Sequence, residues 1–338
     1  MAKRIAINGF GRIGRLTLRN LLKSTELEVV AINDLTDNKT LAHLFKYDSA
    51  QGAFPGTVTH TDQEIIIDGK AIRSLTERDP SALPWKDMQI DLVLECTGIF
   101  TTKDKAGMHL SAGAKKVLLS APAKSEGIQT IVLGVNDHEV DAANTIFSNA
   151  SCTTNCLAPV VKTIEETWGF EQGMMTTIHG YTADQRLQDA PHRDLRRSRA
   201  AAINIVPTTT GAAIAVAKVY PKIQGKLNAM AVRVPVVTGS LIDLSCTIKA
   251  DVSLADINAK FKELAEQGLK GILQYTDAPI VSSDIIGNPH SSIFDSQLTK
   301  LDGKLLKVIA WYDNEAGYSA RLADSAHMVA KLPETVMS

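Results

Sequence analysis

Long apolar runs are missing from this sequence. No stretch of its 338 residues approaches the roughly 20 consecutive apolar side chains of a membrane helix, which excludes a helical membrane-spanning protein. Net charge is missing too: 36 Lys and Arg face 37 Asp and Glu, for a formal charge of −1. That balance argues against a general affinity for nucleic acid or anionic membrane and leaves room only for a local basic patch. Cysteine is scarce, with Cys96, Cys152, Cys156 and Cys246 alone in so long a chain, so a disulfide framework is excluded and free thiols in a reducing compartment are expected. The N-terminus MAKRIAINGF enters a strand-like pattern with no signal-peptide core, and the expected location is cytoplasmic. What the chain does have is 44% hydrophobic residues over a length beyond the usual single domain, enough to fill two cores.

KRIAINGFGRIGRLTLRNLLKS reads as a buried strand from Arg4 to Asn8, a glycine-rich turn, and a helix carrying apolar Ile13, Leu16, Leu18, Leu21 and Leu22. LEVVAIND follows as a second strand ending at Asp34, which completes a βαβ unit with a parallel pair. Gly9, Gly11 and Gly14 have the spacing G-x-G-x-x-G at the first strand-to-helix turn. There the backbone can approach a pyrophosphate, and the helix N-terminus faces its charge. Asp34 stands where a carboxylate accepts from ribose hydroxyls and repels a 2′-phosphate, so the unit predicts NAD rather than NADP. The runs 90–98, 115–122, 130–136 and 144–149 read as further buried strands of an open α/β sheet with its ligand at the carboxyl ends. Thr97, Gly98 and Ser120 then lie on the cofactor edge, and Cys96 reads as core packing.

SNASCTTNCLAPVV, residues 148 to 161, follows the last of these strands. Apolar Leu157, Val160, Val161 and Ile164 recur at helical spacing, so a helix begins near Cys152, although Pro159 blurs its start. A thiol at a helix N-terminus feels the positive end of the macrodipole, which predicts a lowered pKa for Cys152. Cys156 lies one turn deeper, outside that field. An intrahelical disulfide fits helix geometry poorly. No nearby C-x-x-C or H-x-x-x-H completes a metal site, so no metal is expected. TTIH then reads as a strand delivering His179, a base for a cysteine nucleophile. Hydroxyls and glycine in PTTTGAA, Ser151 and Thr153 beside the cysteine, and Arg233 within AVRVPVV offer what phosphate oxygens require. Each has a plainer reading: helix capping for Thr208 to Thr210, an ion pair for Arg233.

GFGRIGR, SNASCTTNCLAPV, HGYTADQR with DLRRSRAAA, PTTTGAA and WYDNEAGYS together resemble the phosphorylating glyceraldehyde-3-phosphate dehydrogenases across essentially the whole chain. The resemblance implies oxidation of glyceraldehyde 3-phosphate with NAD and inorganic phosphate, on a homotetramer. It implies an α/β protein: a Rossmann-type doubly wound sheet plus an α+β catalytic domain with a mainly antiparallel sheet. By this match Cys152 is the nucleophile and His179 its base. Thr182, Asp184 and Arg233 match the site for the substrate's phosphate; Ser151, Thr153, Thr210 and Gly211 match that for inorganic phosphate. The run Gly9, Phe10, Gly11, Arg12, Ile13 and Gly14, with Asp34, Arg78, Thr97, Ser120 and Asn314, matches the cofactor site, and Tyr318 packs near the nicotinamide. The basic loop through Arg186, Arg193, Arg196, Arg197 and Arg199 corresponds to one at a subunit interface. Two segments depart from the family pattern: VVTGSLIDL after Pro235, and Ala190 before Pro191. Erythrose-4-phosphate dehydrogenase and a non-enzymatic NAD-binding protein are the alternatives.

The stretch 317–332 places Leu322, Ala326, Val329 and Leu332 on one helical face, a stripe suited to docking on a preformed surface. The expected domains are therefore residues 1–151, completed by a C-terminal helix at 319–338, and a catalytic domain at 152–318.

Overall fold

A computed structural model describes residues 2–333; the last five positions of the expected C-terminal helix, 334–338, lie outside the described residues. The chain divides into two compact units. One holds the chain through Ile131, Glu139–Ala150 and the described residues from Ser319 onward; the other holds Val132–His138 and Ser151–Tyr318.

In the first unit β1 (Lys3–Asn8), α1 (Arg12–Leu21) and β2 (Leu27–Asn33) form the βαβ unit, followed by α2 (Asn38–Lys46). A hairpin extension supplies β3 (Val58–His60), β4 (Glu64–Ile67) and β5 (Lys70–Leu75). Then come β6 (Leu92–Glu95), α3 (Lys103–Ser111), β7 (Lys116–Leu119), β8 (Gln129–Thr130) and β9 (Ile146–Ser148). The nine strands lie in the order β3-β4-β5-β2-β1-β6-β7-β9-β8, and every pair from β5 to β8 is parallel. Strand order reverses at β1, which has β2 on one side and β6 on the other, and such a switch point opens a crevice at the carboxyl ends of the strands. The central strands bury both faces, as a parallel sheet covered on both sides requires: β6 and β7 are buried at every residue. Trp85, Ile90, Val93 and Ala6 share one core cluster and Val117, Leu119, Ile146 and Ala106 another.

One expected strand is corrected. Of the run 130–136 only Thr130 pairs as strand, with Gln129 before it; beyond them Gly134 takes φ 80° and Val135 N–H turns back to Val132 O. Its apolar residues Ile131, Val132 and Val135 are buried in an irregular turn, and burial rather than pairing produced the strand-like pattern.

The second unit opens with α4 (Cys152–Trp168) and β10 (Phe170–Gly180). It continues through β11 (Val206–Thr209), α5 (Ala212–Val219), β12 (Leu227–Val234), β13 (Ser240–Ile248) and α6 (Leu254–Glu266), then β14 (Leu273–Thr276), β15 (Ser292–Asp302) and β16 (Leu305–Tyr312). The seven strands lie in the order β11-β12-β10-β13-β16-β15-β14, antiparallel except for the β12·β10 and β15·β14 pairs. β13 alternates strictly, burying Ile242, Leu244, Cys246 and Ile248, the period-2 pattern of a sheet with one face covered. Helix α4 packs across β10, β13, β15 and β16. Its Leu157, Val160, Val161 and Ile164 are fully buried, each contributing about 1.5–3 kcal/mol. The helix runs through Pro159, eight residues in, whose missing N–H leaves one rung of the ladder unmade. α7 (Ala316–Lys331) starts in the second unit and, from Ser319, belongs to the first, where Leu322, Ala326 and Val329 are fully buried.

Candidate active site

Two sites are built, one in each unit. In the first, a cavity of about 460 Å³ lies at the carboxyl ends of β1, β2 and β6, lined by Gly9, Gly11, Asp34, Arg78 and Thr97 among others. Gly9 has φ 91°, and a Cβ there would stand 2.7 Å from Thr97 N, so only glycine fits. A Cβ on Gly14 would stand 2.3 Å from Gly9 O, so this glycine lets α1 lie against its own strand. Gly11 caps α1 without a side-chain bond and faces open space. An uncapped helix N-terminus beside a bare glycine fits a pyrophosphate. Asp34 accepts Phe10 N–H at 2.8 Å and Thr36 N–H at 3.0 Å, which aims its carboxylate from the end of β2.

Three residues of the matched cofactor run are engaged elsewhere. The Phe10 ring is buried and stacks on Phe45 at 5.9 Å, its N–H donates to Asp34 and its carbonyl accepts from Arg15 Nη1 at 2.8 Å. Arg12 pairs with Asp48 at 2.5 Å. Ile13 is half-buried on α1. Ser120 stands one residue past β7. Cys96 departs from its expected core role: it lies one residue past β6 on the cavity wall, and burial together with Glu95 pushes its thiol up to about 12.

In the second unit Ser151 caps α4, its Oγ accepting Thr154 N–H at 3.1 Å, so Cys152 is the first helical residue. Ala150, with φ 55°, holds the left-handed turn that leads into this cap. Cys152 Sγ lies 3.4 Å from His179 Nε2, near the end of β10. The imidazole's Nδ1 sits 2.6 Å from Gly180 O, which can only accept, and 2.9 Å from Arg233 Nη1, which can only donate; because both Nη1 hydrogens have oxygen partners in Gly180 O and Thr182 Oγ1, we assign the proton to Nδ1, which turns the Nε2 lone pair to the thiol. β10 and β12 pair in parallel with His179 opposite Arg233, which brings the guanidinium Nη1 within 2.9 Å of Nδ1. Nη1 donates to Gly180 O at 3.1 Å and to Thr182 Oγ1 at 3.2 Å. Burial and then this neighbouring positive charge push His179 down to about 3, which keeps the base neutral.

The thiol corrects an expectation. Cys152 keeps part of its surface exposed, yet burial of the sulfur raises its pKa, opposed by Arg233 and by the amides of Thr153 and of Cys152 itself. The helix-terminal field is present, and desolvation outweighs it. Cys156 is fully buried against Ser292 and Ala310, with its thiol raised further still.

The hydroxyls around this pair are ordered. Thr153 Oγ1 lies 2.9 Å from Tyr312 OH, and Thr177 Oγ1 lies 2.8 Å from the same hydroxyl. Thr182 donates its hydroxyl to Asp184, whose other oxygen takes Arg197 Nη1 at 2.6 Å. Arg197 continues to Thr208 Oγ1 at 3.0 Å and Thr209 O at 3.2 Å, joining the loop after β10 to β11. Thr210 Oγ1 accepts Ala212 N–H at 3.2 Å, the capping role, and Gly211 is the N-cap of α5. The buried Nε of Arg233 has no hydrogen-bond partner among the described residues. Of the basic loop, Arg197 and Arg199 are paired with Asp184 and Asp189.

Asn314 Oδ1 accepts Ser240 Oγ–H at 2.8 Å and Gly239 N–H at 3.1 Å, which leaves its NH2 to point away from them. Ser240 Oγ also accepts Gly180 N–H at 3.1 Å, so Asn314 and the end of β10 share one hydroxyl. Tyr318 is buried at the start of α7. Sequence reading missed Ser240, Thr177 and Tyr312. Ser240 sits in the very segment, VVTGSLIDL, that departs from the family pattern, and Tyr312 in WYDNEAGYS, two positions before Asn314. Among the described residues no cluster of His, Cys, Asp and Glu could hold a metal ion.

The comparisons with known proteins cover both units. Residues 3–103 match the family model "Glyceraldehyde 3-phosphate dehydrogenase, NAD binding domain" and residues 151–314 match "Glyceraldehyde 3-phosphate dehydrogenase, C-terminal domain". The chain is 56% identical to a glyceraldehyde-3-phosphate dehydrogenase of Mycobacterium avium, over 98% of this chain and 99% of that one. It is equally similar to that of Mycobacterium tuberculosis H37Rv, and 55% identical to that of Streptomyces coelicolor over 96% of this chain and 97% of the other. With both domain models matched in order and identity above half along nearly the full length, the chain belongs to the glyceraldehyde-3-phosphate dehydrogenase family.

Proposed function

We propose that the chain converts glyceraldehyde 3-phosphate, NAD and inorganic phosphate to 1,3-bisphosphoglycerate through a thioester on Cys152. The observation that carries this is the 3.4 Å approach of Cys152 Sγ to a His179 Nε2 whose lone pair is left free by the Nδ1–H bond to Gly180 O.

Because burial disfavours both thiolate and imidazolium, the thiol proton moves to Nε2 as sulfur adds to the aldehyde carbon, and the imidazolium passes that proton to the oxygen, giving a thiohemiacetal beside a neutral His179. His179 then accepts the hydroxyl proton as the C=O bond re-forms. NAD held by the first unit's cavity and Asn314 would supply the acceptor for the hydride lost from this carbon. The resulting thioester retains the free energy of oxidation. A phosphate oxygen attacks its carbonyl carbon, the C–S bond breaks, and the sulfur leaves as thiolate, to be reprotonated by the imidazolium. Arg233, with Thr182 held by Asp184, binds the substrate's phosphate; Ser151, Thr153, Thr210 and Gly211 form the site for inorganic phosphate. The first unit's cavity, with its uncapped α1 terminus and Asp34, takes NAD. Asn314, its Oδ1 already engaged, offers its NH2 to the carboxamide, with Tyr318 beside the ring.

The assembly is a homotetramer. Leu187, Leu195, Ile203, Ile205 and Ile214 of the second unit are each about 70–80% exposed, and so many large apolar side chains left to solvent within residues 187–214 support a subunit contact there. The setting is the cytoplasm, which suits the four free thiols. Of the two domains, 1–151 with the terminal helix carries the dinucleotide cavity and 152–318 carries the Cys152–His179 pair. Following NADH formation with and without phosphate tests the reading: turnover requires phosphate, and its omission leaves one NADH per subunit. Sustained turnover without phosphate overturns it.

A further inference from the structure

The three middle strands of the first sheet end in side chains that bond to one another. Asn33 closes β2, Asn8 closes β1 and Glu95 closes β6. Asn33 Nδ2 donates to Asn8 Oδ1 at 2.7 Å, and Asn8 Nδ2 donates to Glu95 Oε2 at 2.6 Å. His109 Nε2 lies 3.1 Å from the same carboxylate oxygen. Its Nδ1 faces Trp85 Nε1 at 3.0 Å; an indole only donates, so Nδ1 accepts and Nε2–H donates to Glu95. The other carboxylate oxygen takes both the N–H of Thr97, at 2.8 Å, and its hydroxyl. Neither Glu95 nor His109 has any exposed side-chain surface. Four donors converge on one carboxylate, the complement that lets an ionised group stay buried.

The chain of amides runs on beyond the strands. Asn33 Oδ1 accepts Glu77 N–H at 2.8 Å and Asn33 Nδ2 donates to Glu77 O at 2.8 Å, while Thr97 Oγ1 accepts Ile99 N–H at 3.1 Å. Glu77, Arg78, Thr97 and Ile99 all line the cavity. One buried carboxylate thus fixes two stretches of its wall.

We infer that Glu95 is a positioning residue for dinucleotide binding: through Thr97, and through Asn8 and Asn33, it holds in place two loops that line the cavity before the ligand arrives. The inference rests on reading that cavity as the NAD site. A wall already ordered spares binding the cost of ordering it. The network also has a direction, because each amide donates toward the carboxylate. A glutamine side chain in place of Glu95 that keeps its oxygen on Thr97 turns its NH2 toward the donors of Asn8 and His109. Rotating Asn8 to accept that NH2 would then set its own NH2 against Asn33.

Titration calorimetry on the apo protein tests this. Glu95→Gln weakens NAD binding by about tenfold, the scale of one to two lost buried hydrogen bonds. It also speeds amide exchange at Thr97 and Glu77 in the absence of NAD, while alkylation of Cys152 by iodoacetamide keeps its rate. The double variant Asn8→Asp with Glu95→Gln moves the carboxylate one strand over, where it can accept from the introduced carboxamide, from Asn33 and from His109, whose Nε2 lies 3.4 Å from the Asn8 amide nitrogen. It recovers most of the affinity. Unchanged NAD affinity in Glu95→Gln, with only a lower melting temperature, overturns the inference, as does a folded double variant that still binds tenfold more weakly. Should the single variant not fold, the double variant alone decides. A wild-type protein that binds no NAD defeats the reading of the cavity itself, which is a separate outcome.

Discussion

The hydroxyl of Tyr312 lies 2.9 Å from Oγ1 of Thr153, the residue after the nucleophile. The same hydroxyl meets Thr177 on the strand that carries His179, and the tyrosine ring meets the imidazole edge-on at 5.9 Å. Tyr312→Phe takes this partner from the buried Thr153 hydroxyl, at about 1–3 kcal/mol of stability, while Thr177 keeps its bond to Leu241 O at 3.1 Å. It also frees Thr153 to rotate. The melting temperature falls, and the KM for phosphate rises more than the KM for the aldehyde. An unaltered phosphate KM would show that Thr153 is oriented by something else.

The two cysteines differ in access more than in spacing. Cys152→Ser is inactive. Cys156→Ser replaces a sulfur packed against Ser292 and Ala310, stays folded and keeps activity within a few-fold, because no reacting atom reaches that depth. Mass spectrometry after brief iodoacetate treatment finds one label per chain, on Cys152. A folded but inactive Cys156→Ser would assign the deeper sulfur a role in turnover.

Acid destabilises the second unit through His179. The folded-state pKa of about 3 lies below the ordinary 6.5, so below that value the unfolded chain binds more protons. The contribution is therefore complete above pH 6.5 and is lost as pH falls from 6.5 toward 3, at up to about 1.4 kcal/mol per pH unit. Denaturant melts from pH 7 to pH 4.5 show this slope, and His179→Asn flattens it. Parallel curves for the two proteins would mean that His179 is protonated in the native state.

Asp34 sets cofactor choice. Both of its oxygens are held by backbone amides, so the carboxylate cannot easily swing away from a 2′-phosphate. NAD is preferred over NADP by at least about tenfold in kcat/KM, and Asp34→Ala narrows the gap. Equal kcat/KM for the two cofactors in the wild type would refute this.

Removing the chain from residue 319 strips Leu322, Ala326 and Val329 from the first unit, with the Ser325 hydroxyl that meets Asn149 Oδ1 at 2.7 Å. NAD binding weakens and melting of this unit comes earlier, although every phosphate-binding side chain remains. Normal NAD affinity and melting in the truncated protein would sink this.

The local signals were legible in the residues themselves. Glycine spacing located the turn before α1, and the small polar run before Cys152 located its helix start. Signals that depend on long-range pairing were not. Nothing near His179 in sequence announces Arg233, 54 positions away; the β10·β12 register puts them side by side. Ser240 looked like part of an unexplained departure until β13 brought it to Asn314. The direction of the Cys152 shift was misread because a helix start is visible in a sequence and the burial of a sulfur atom is not. The run 130–136 misled in the opposite sense, since apolar side chains fill a core from a turn as readily as from a strand.

The ladder that sets His179 abreast of Arg233 makes the site all-or-none at assembly. Side chains alternate faces along a strand, so slipping β12 by one position turns Arg233 away from the imidazole altogether instead of shifting it slightly. A mispaired molecule is therefore a blank, with no weakened site of its own. A preparation containing such molecules would titrate fewer reactive thiols per chain, while those that react do so at the full rate and with the usual KM.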